Sequence, residues 1–281
     1  KFTRLPSVMF LNGDSSVNIR SGNAFVSDKS RQIINAIFGN GSKDITMLGK
    51  GVYKNYGVAN EGFNISSIQF AIHYMFENRT KLHSFMKNLC ECTKINGYFV
   101  GTCYDGTSVF NLLNKKDKGE SINLYKNGEK IWEITRQYTK DEFLDNESSL
   151  GYAIDVYQET INKIFREYLV NYKFLKRLLE NYGFVELNSD ELQELGLKSS
   201  TGMFSEMFSS MKTEISTNKK KHYGNSENMS EEEKTISFLN RYFIFKKNRN
   251  VDADKIKDQY TEPLTDVEKQ MAEEILESLK S

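Results

Sequence analysis

Apolar positions along this chain fall into short runs of two periods, and their alternation predicts an α/β layer architecture with a largely parallel sheet. The first strand-like run is SVMFL, Ser7 to Leu11, ended by Gly13 and Asp14. Ile33, Ile34, Ile37 and Phe38 then recur at helical spacing from Ser30 onward, and Gly39 supplies a left-handed stop. Residues 39–60, rich in Gly, Asn and Lys, read as a long surface loop or a short helix. A strand over 62–71 leads into a helix over 80–93 that buries Leu82, Phe85, Met86, Leu89 and Cys90, and GYFVGT at 97–102 is the next strand.

The period changes after residue 114. INLYKNGEKIWEI alternates on both sides of Asn127 and Gly128, a pair suited to a type I′ turn, which predicts an antiparallel hairpin outside the helical alternation. AIDVYQ and the region of EYLV extend this insertion to about residue 170. A helix follows over 172–182, burying Phe174, Leu175, Leu178 and Leu179, and FVELN and RYFIFKK supply two later strands. Met203, Phe204, Met207, Phe208 and Met211 form an apolar stripe read as core or partner contact, with a ligand groove as the lesser alternative. Residues 216–233 are too polar to bury much and read as a mobile loop. Its Lys219 to Lys221 triplet reads as solvated, with RNA phosphate as the weaker alternative. The organisation expected is therefore a unit over 1–250 with an insertion at about 114–170, and a C-terminal tail and helix over 251–281. That helix opens on a Thr265/Glu268 capping box and carries Val267, Met271, Ile275, Leu276 and Leu279.

Composition narrows the functional classes. Lys plus Arg equals Asp plus Glu at 38 each, so no global positive field draws the chain to nucleic acid and any RNA site must be local. Three cysteines, Cys90, Cys92 and Cys103, lack paired metal-ligand spacing and fit a reducing compartment, so no metal is expected. No run approaches the ~20 apolar residues of a bilayer span, and the opening KFTRLPSVMF has no signal-peptide order, so no membrane association is expected. The chain opens on Lys1 with a strand-like run already under way, which suggests a cut from something longer.

Residues capable of chemistry gather at the carboxyl ends of the expected strands, where open sheets bind ligands. Asp14 closes the first, Gln69, His73 and Tyr74 interrupt the apolar character of the second, and Tyr104 and Asp105 follow the third. Each has a bland reading: Asp14 caps its turn through Ser15 and Ser16, Gln69 satisfies a backbone group, His73 is a hydrogen-bonded core histidine, and Tyr74 is core with a surface hydroxyl. Needing all of these at adjoining strand ends favours a site.

GDSS at 13–16, FNISSIQFAIHYMFE at 63–77, NGYFVGTCYDG at 96–106, LGYAIDVYQ at 150–158, REYLVNY at 166–172 and RYFIF at 241–245 together resemble the mRNA cap guanine-N7 methyltransferases. The likeness is strongest to the methyltransferase part of capping enzymes of large DNA viruses. It covers most of the chain in the family's order, leaving the C-terminal helix unassigned. It implies a Rossmann-like class I methyltransferase that uses S-adenosylmethionine and no metal. By that resemblance Asp14 and Ser15 lie on the donor, Asp14 at the adenine amino group, while Gln69 and Tyr74 line its methionine and sulfonium side. Phe70 and His73 would face the cap, Glu167 would read its guanine, Tyr242 would close over it, and His73, Tyr74 and Glu167 would position the reactants. The pattern departs from the family upstream: no glycine-rich loop and no ribose-binding acid precede Asp14, and the Gly39-Asn40-Gly41 and Gly49-Lys50-Gly51 clusters replace neither. The expectation is a C-terminal portion of a methyltransferase domain lacking its first strand. Its partners would be the capped mRNA 5′ end, triphosphatase and guanylyltransferase domains upstream in the same polypeptide, and an activating subunit. The location implied is intracellular: host cytoplasm or virion for a viral protein, nucleus for a cellular one. Two alternatives stay open, an inactive cap- or RNA-binding scaffold, and a methyltransferase of this fold acting on another substrate.

Overall fold

A computed structural model describes residues 8–218 and 222–261. Helix α1 (Asp28–Ile37) is capped by the Ser27 side chain, and α2 (Ile45–Lys54) by Asp44. Strand β1 (Phe63–Gln69) runs through a 3-10 turn (Ile72–Glu77) into α3 (Arg79–Cys92), and β2 (Thr93–Tyr104) leads to the short α4 (Gly106–Leu112). The insertion is a four-stranded sheet of β3 (Ser121–Lys126), β4 (Glu129–Arg136), β5 (Ala153–Gln158) and β6 (Lys163–Tyr168), antiparallel throughout. Its hairpin turns on Asn127 and Gly128, both at positive φ, as the two-residue turn requires. There follow α5 (Tyr172–Asn181), β7 (Phe184–Glu186), α6 (Ser189–Leu195), β8 (Thr201–Met203), α7 (Phe204–Thr217), α8 (Glu231–Ser237), β9 (Asn240–Lys247) and α9 (Ala253–Thr261).

The main sheet has the order β1-β2-β9-β7, with β8 also on β9. Among the described residues only β1 and β2 pair in parallel; β9 runs against β2, β7 and β8, so the largely parallel sheet expected from periodicity is corrected to a mixed one. Periodicity carries no strand direction. Direction is set where the chain re-enters the sheet, and β9 enters at the end where β2 finishes, the Asp105 N–H donating to the Leu239 carbonyl at 2.8 Å.

Two further expectations change. Residues 8–11 form no strand, and Val8, Met9 and Phe10 are exposed; an extended run becomes a strand only by pairing its backbone, and no described strand lies beside it. The 216–233 segment is partly helical: Gly224–Asn228 is a 3-10 turn, and Ser230 with Glu233 caps α8 reciprocally. The Glu231, Glu232, Glu233 run therefore sits at a helix N-terminus, where negative charge is favoured. Lys219 to Lys221 and the Thr265 helix lie outside the described residues.

Two apolar cores fix the site. One face of the main sheet, with Phe99, Cys103, Phe243 and Phe245, packs against Leu82, Met86 and Leu89 of α3 and Leu175, Leu178 and Leu179 of α5. The second core joins the insertion to α4 through Tyr104, Val109, Leu113, Trp132, Ile134, Ile154 and Val156. The opposite face of the main sheet, bearing Gln69, Val100, Thr102, Tyr242 and Ile244, borders a cleft of about 1020 Å³ closed on its far side by α7.

Candidate functional site

The site begins where β1 stops. Gln69 ends the strand, and Phe70 turns the chain at φ 51, a conformation rare for a bulky side chain and found where other contacts impose it. The Phe70 N–H donates to the Thr102 carbonyl at 2.9 Å. In the 3-10 turn that follows, Ile72, Met75 and Phe76 are driven into the core, which leaves His73 and Tyr74 facing the insertion. His73 is 5% exposed and Tyr74 41%, their rings 4.2 Å apart.

Glu167 meets them from the other side. In the β5/β6 register it lies opposite Ile154, so it projects from the apolar inner face of the insertion sheet. Its Oε2 is 3.6 Å from His73 Nδ1, beyond hydrogen-bond length. Burial pushes the Glu167 carboxyl up to about 7 and His73 down to about 4. At neutral pH the imidazole is therefore uncharged, and the two groups are neighbours rather than an ion pair. His73 Nε2 is buried without a hydrogen-bond partner among the described residues. The Tyr74 phenol is pushed up by burial and by the Glu167 charge. Among the described residues Glu167 has no hydrogen-bond donor, and a desolvated carboxylate in that state is costly and calls for a ligand that supplies N–H groups.

The junction between the two cores sets this meeting. Gly106 N–H donates to the Val170 carbonyl at 3.0 Å, and a Cβ at Gly106 would lie 2.4 Å from that oxygen, so only glycine lets the end of β2 reach the end of β6. Beside it the buried Tyr104 hydroxyl accepts from Trp132 Nε1 at 3.2 Å, and Glu167 lies close enough to raise its pKa further after burial.

A second group forms along one row of the main sheet, where Gln69 pairs with Thr102, and Thr102 with Tyr242. Phe204 of α7 sets its ring against Phe70 at 6.1 Å, linking this row to the turn. The apolar stripe of α7 is therefore not core: Phe204, Met207, Phe208 and Met211 line the cleft, and no residue of that helix is buried.

The structure thus brings His73, Tyr74 and Glu167 to one place, and Gln69 and Tyr242, with Phe70 against Phe204, to an adjoining one. Among the described residues, Asp14 and Ser15 hydrogen-bond to neither group. Asp14 Oδ1 accepts from Ser16 N at 2.8 Å and Ser16 Oγ at 2.7 Å, which hold its carboxyl below the usual range, and the Ser15 carbonyl accepts from Asn88 Nδ2 at 2.8 Å. The Lys81 charge of α3 adds slightly to the lowering of the Asp14 carboxyl. Asp105 is structural, its carboxylate capping α4 through Ser108 and pairing with Arg241 at 2.8 Å. Among the described residues no group of three or more His, Cys, Asp or Glu side chains is arranged to hold a metal. Tyr104 stands in the sequence beside Asp105 at a strand end and Phe204 in the apolar stripe, whereas Thr102 is not singled out there; its one signal is a hydroxyl inside the apolar run GYFVGTCY.

A family model for the mRNA (guanine-N(7))-methyltransferase domain matches residues 25–248, beginning after Asp14 and Ser15. The probable mRNA-capping enzyme of Acanthamoeba polyphaga mimivirus is 28% identical over 221 residues, covering 72% of this chain and 18% of that protein. The mRNA cap guanine-N(7) methyltransferase of Saccharomyces cerevisiae is 29% identical over 140 residues, covering 46% of this chain and 31% of that one. The chain thus spans well under half the length of these curated relatives. Among solved structures, an S-adenosylmethionine-dependent methyltransferase from Clostridium acetobutylicum matches with a TM-score of 0.33 and 11% identity, over 66% of this chain and 59% of that one.

Proposed function

We propose, because this chain belongs to the mRNA (guanine-N(7))-methyltransferase domain family, that it transfers a methyl group from S-adenosylmethionine to N7 of the guanine at a capped mRNA 5′ end. The observation that carries the reading is Glu167, a carboxylate desolvated on the inner face of a sheet, without a hydrogen-bond donor, beside a neutral buried imidazole. Guanine offers two adjacent N–H donors on its Watson-Crick edge; adenine does not. A carboxylate that accepts both selects guanine and offsets its own desolvation in the same contact.

The remaining residues have roles that follow from chemistry. Guanine N7 already carries the lone pair that attacks, so no proton is removed and no general base is needed. The donor, when bound, supplies an activated methyl group. Holding the two reacting atoms in line and excluding water is a class of effect worth up to roughly 7 to 11 kcal/mol. His73, with a ring nitrogen still unpartnered, and the faces of Phe70, Tyr74 and Tyr242 position the base and favour the cation formed by methylation, by about 0.5 to 2 kcal/mol for each well-placed face. Gln69 and Tyr74 take the methionine end of the donor. Asp14 and Ser15 take the adenine end, and Asp14 Oδ2 is the oxygen that Ser16 leaves unengaged. The proposal extends to partners: triphosphatase and guanylyltransferase domains of the same polypeptide, and an activating subunit. The support is that a viral relative is named a probable mRNA-capping enzyme of which this chain matches 18%. Three free, buried cysteines support a reducing, intracellular location.

The test is labelled-methyl transfer to RNA bearing a GpppG or an ApppG end, followed by nuclease digestion. 7-methylguanosine from the first and no product from the second is expected. Equal labelling of both ends, or a label elsewhere than N7, would exclude the reading. Cap binding without any transfer would favour the scaffold alternative.

A further inference from the structure

Thr102 stands between the two halves of the site. Its hydroxyl oxygen lies 3.3 Å from the Phe70 nitrogen, whose N–H it shares with the Thr102 carbonyl. Its own proton goes to Gln69 Oε1 at 2.9 Å. Ser67 Oγ accepts one N–H of the same amide at 2.9 Å. The Gln69 amide is thereby held with its carbonyl engaged and one N–H left to present at the strand end. Phe70 is held in a left-handed turn it would not adopt alone. Across the sheet, Thr102 is the register partner of Tyr242.

We infer that Thr102 is a positioning residue: its hydroxyl aims the free Gln69 N–H at an anionic acceptor, the carboxylate of the donor's amino-acid portion, while fixing Phe70 on the cap side. The inference rests on the methyl-transfer reading. One hydroxyl then sets both reactants from opposite sides, so its loss displaces them relative to each other. Misplacement of this kind lowers the rate of the bound complex more than it weakens binding.

The test compares Thr102→Val, which keeps the shape and removes the hydroxyl, with Thr102→Ser, which keeps the hydroxyl. Phe70 N–H retains the Thr102 carbonyl in both, so the fold stands. The expected result for Thr102→Val is a fall in kcat of ~10- to 100-fold with KM for capped RNA within about threefold. Thr102→Ser is expected to recover most of the loss, and melting temperatures to stay close. Full kcat in Thr102→Val, or Thr102→Ser as impaired as Thr102→Val, overturns the inference and leaves the functional reading in place. A parent chain that transfers no methyl group overturns the functional reading first. In that event the Gln69 side-chain amide signal, assigned with Gln69→Ala in ¹H–¹⁵N spectra, judges Thr102 alone. It is expected to return to the free-amide position in Thr102→Val and not in Thr102→Ser; an amide indifferent to both overturns the inference.

Discussion

The Glu167 side and the Asp14 side of this molecule use the same functional group under opposite conditions. Glu167 projects from the inner face of a sheet, and burial alone pushes its carboxyl up to about 7. Asp14 sits in an exposed turn where two hydrogen bonds from Ser16 pull its carboxyl down. One acid lacks donors and is destabilised as a charge; the other has donors from its own chain and is satisfied. A ligand with N–H groups gains far more at the first than at the second. The Glu167 side is thus built to bind by what its fold leaves unmet.

The largest effect expected is at Glu167. Glu167→Gln replaces an acceptor pair with one acceptor and one donor, so one guanine N–H keeps its acceptor and the other meets an N–H. Binding of a cap analogue, read by fluorescence titration, should weaken ~100-fold or more, since hydrogen bonds to charged groups contribute about 1.5 to 3 kcal/mol each. An affinity within threefold of the parent would remove Glu167 from guanine recognition. By contrast, Gln69→Ala should leave cap affinity within a few fold and reduce transfer.

The pH dependence comes next in size. Guanine needs the carboxylate, so cap affinity should rise about tenfold per unit as pH rises toward about 7 and level off above it. The ligand-free fold should behave otherwise. Between 4.5 and about 7 the folded chain keeps a Glu167 proton that the unfolded chain releases, so this group makes stability fall as pH rises. Between about 4 and 6.5 the unfolded chain binds a His73 proton that the folded chain does not, so this group makes stability rise. From 4.5 to 6.5 the two slopes oppose and nearly cancel. Urea titrations at several pH values should expose them singly: relative to the parent, Glu167→Gln should gain stability with rising pH and His73→Asn should lose it. Each slope reaches at most ~1.4 kcal/mol per pH unit. Parallel curves for parent and variants would mean the two groups are solvated.

How much of this was legible in sequence depends on what a side chain does locally. The β1 turn announced itself because Gln69, His73 and Tyr74 break an apolar run. The insertion announced itself through Asn127-Gly128, whose backbone demand is local. Strand direction in the main sheet was hidden, because alternation looks the same either way along a strand. Residues 8–11 were misread for a related reason: β propensity states that a run fits a sheet, and only a neighbour makes it one. Glu167 lies 94 residues beyond His73 in sequence, and family resemblance rather than periodicity put them together. Thr102 is easily overlooked because a hydroxyl in an apolar run is usually satisfied by its own backbone, and neither its partner Gln69 nor Trp132, the partner of Tyr104, is close in sequence: both come from other strands.

The smallest effect expected is at Asp14, and it separates that residue's two roles. The turn uses Oδ1 alone, and an asparagine oxygen accepts the Ser16 N–H equally well. Asp14→Asn should therefore change stability at pH 7 by less than ~0.5 kcal/mol, as exposed substitutions outside strained positions do. The carboxyl is held below its usual value of 3.8, so its contribution is present above that value and is lost as pH falls below it. Asp14→Asn should flatten the acid limb of the stability profile slightly and leave neutral pH alone. Donor binding answers to the other oxygen. Oδ2 becomes an NH₂ that faces the adenine amino group, donor against donor, and affinity for S-adenosylhomocysteine should drop about threefold, a modest loss because water competes at an exposed site. A variant with parental donor affinity would leave Asp14 with the turn as its whole function, and the adenine end would have to be held by other groups.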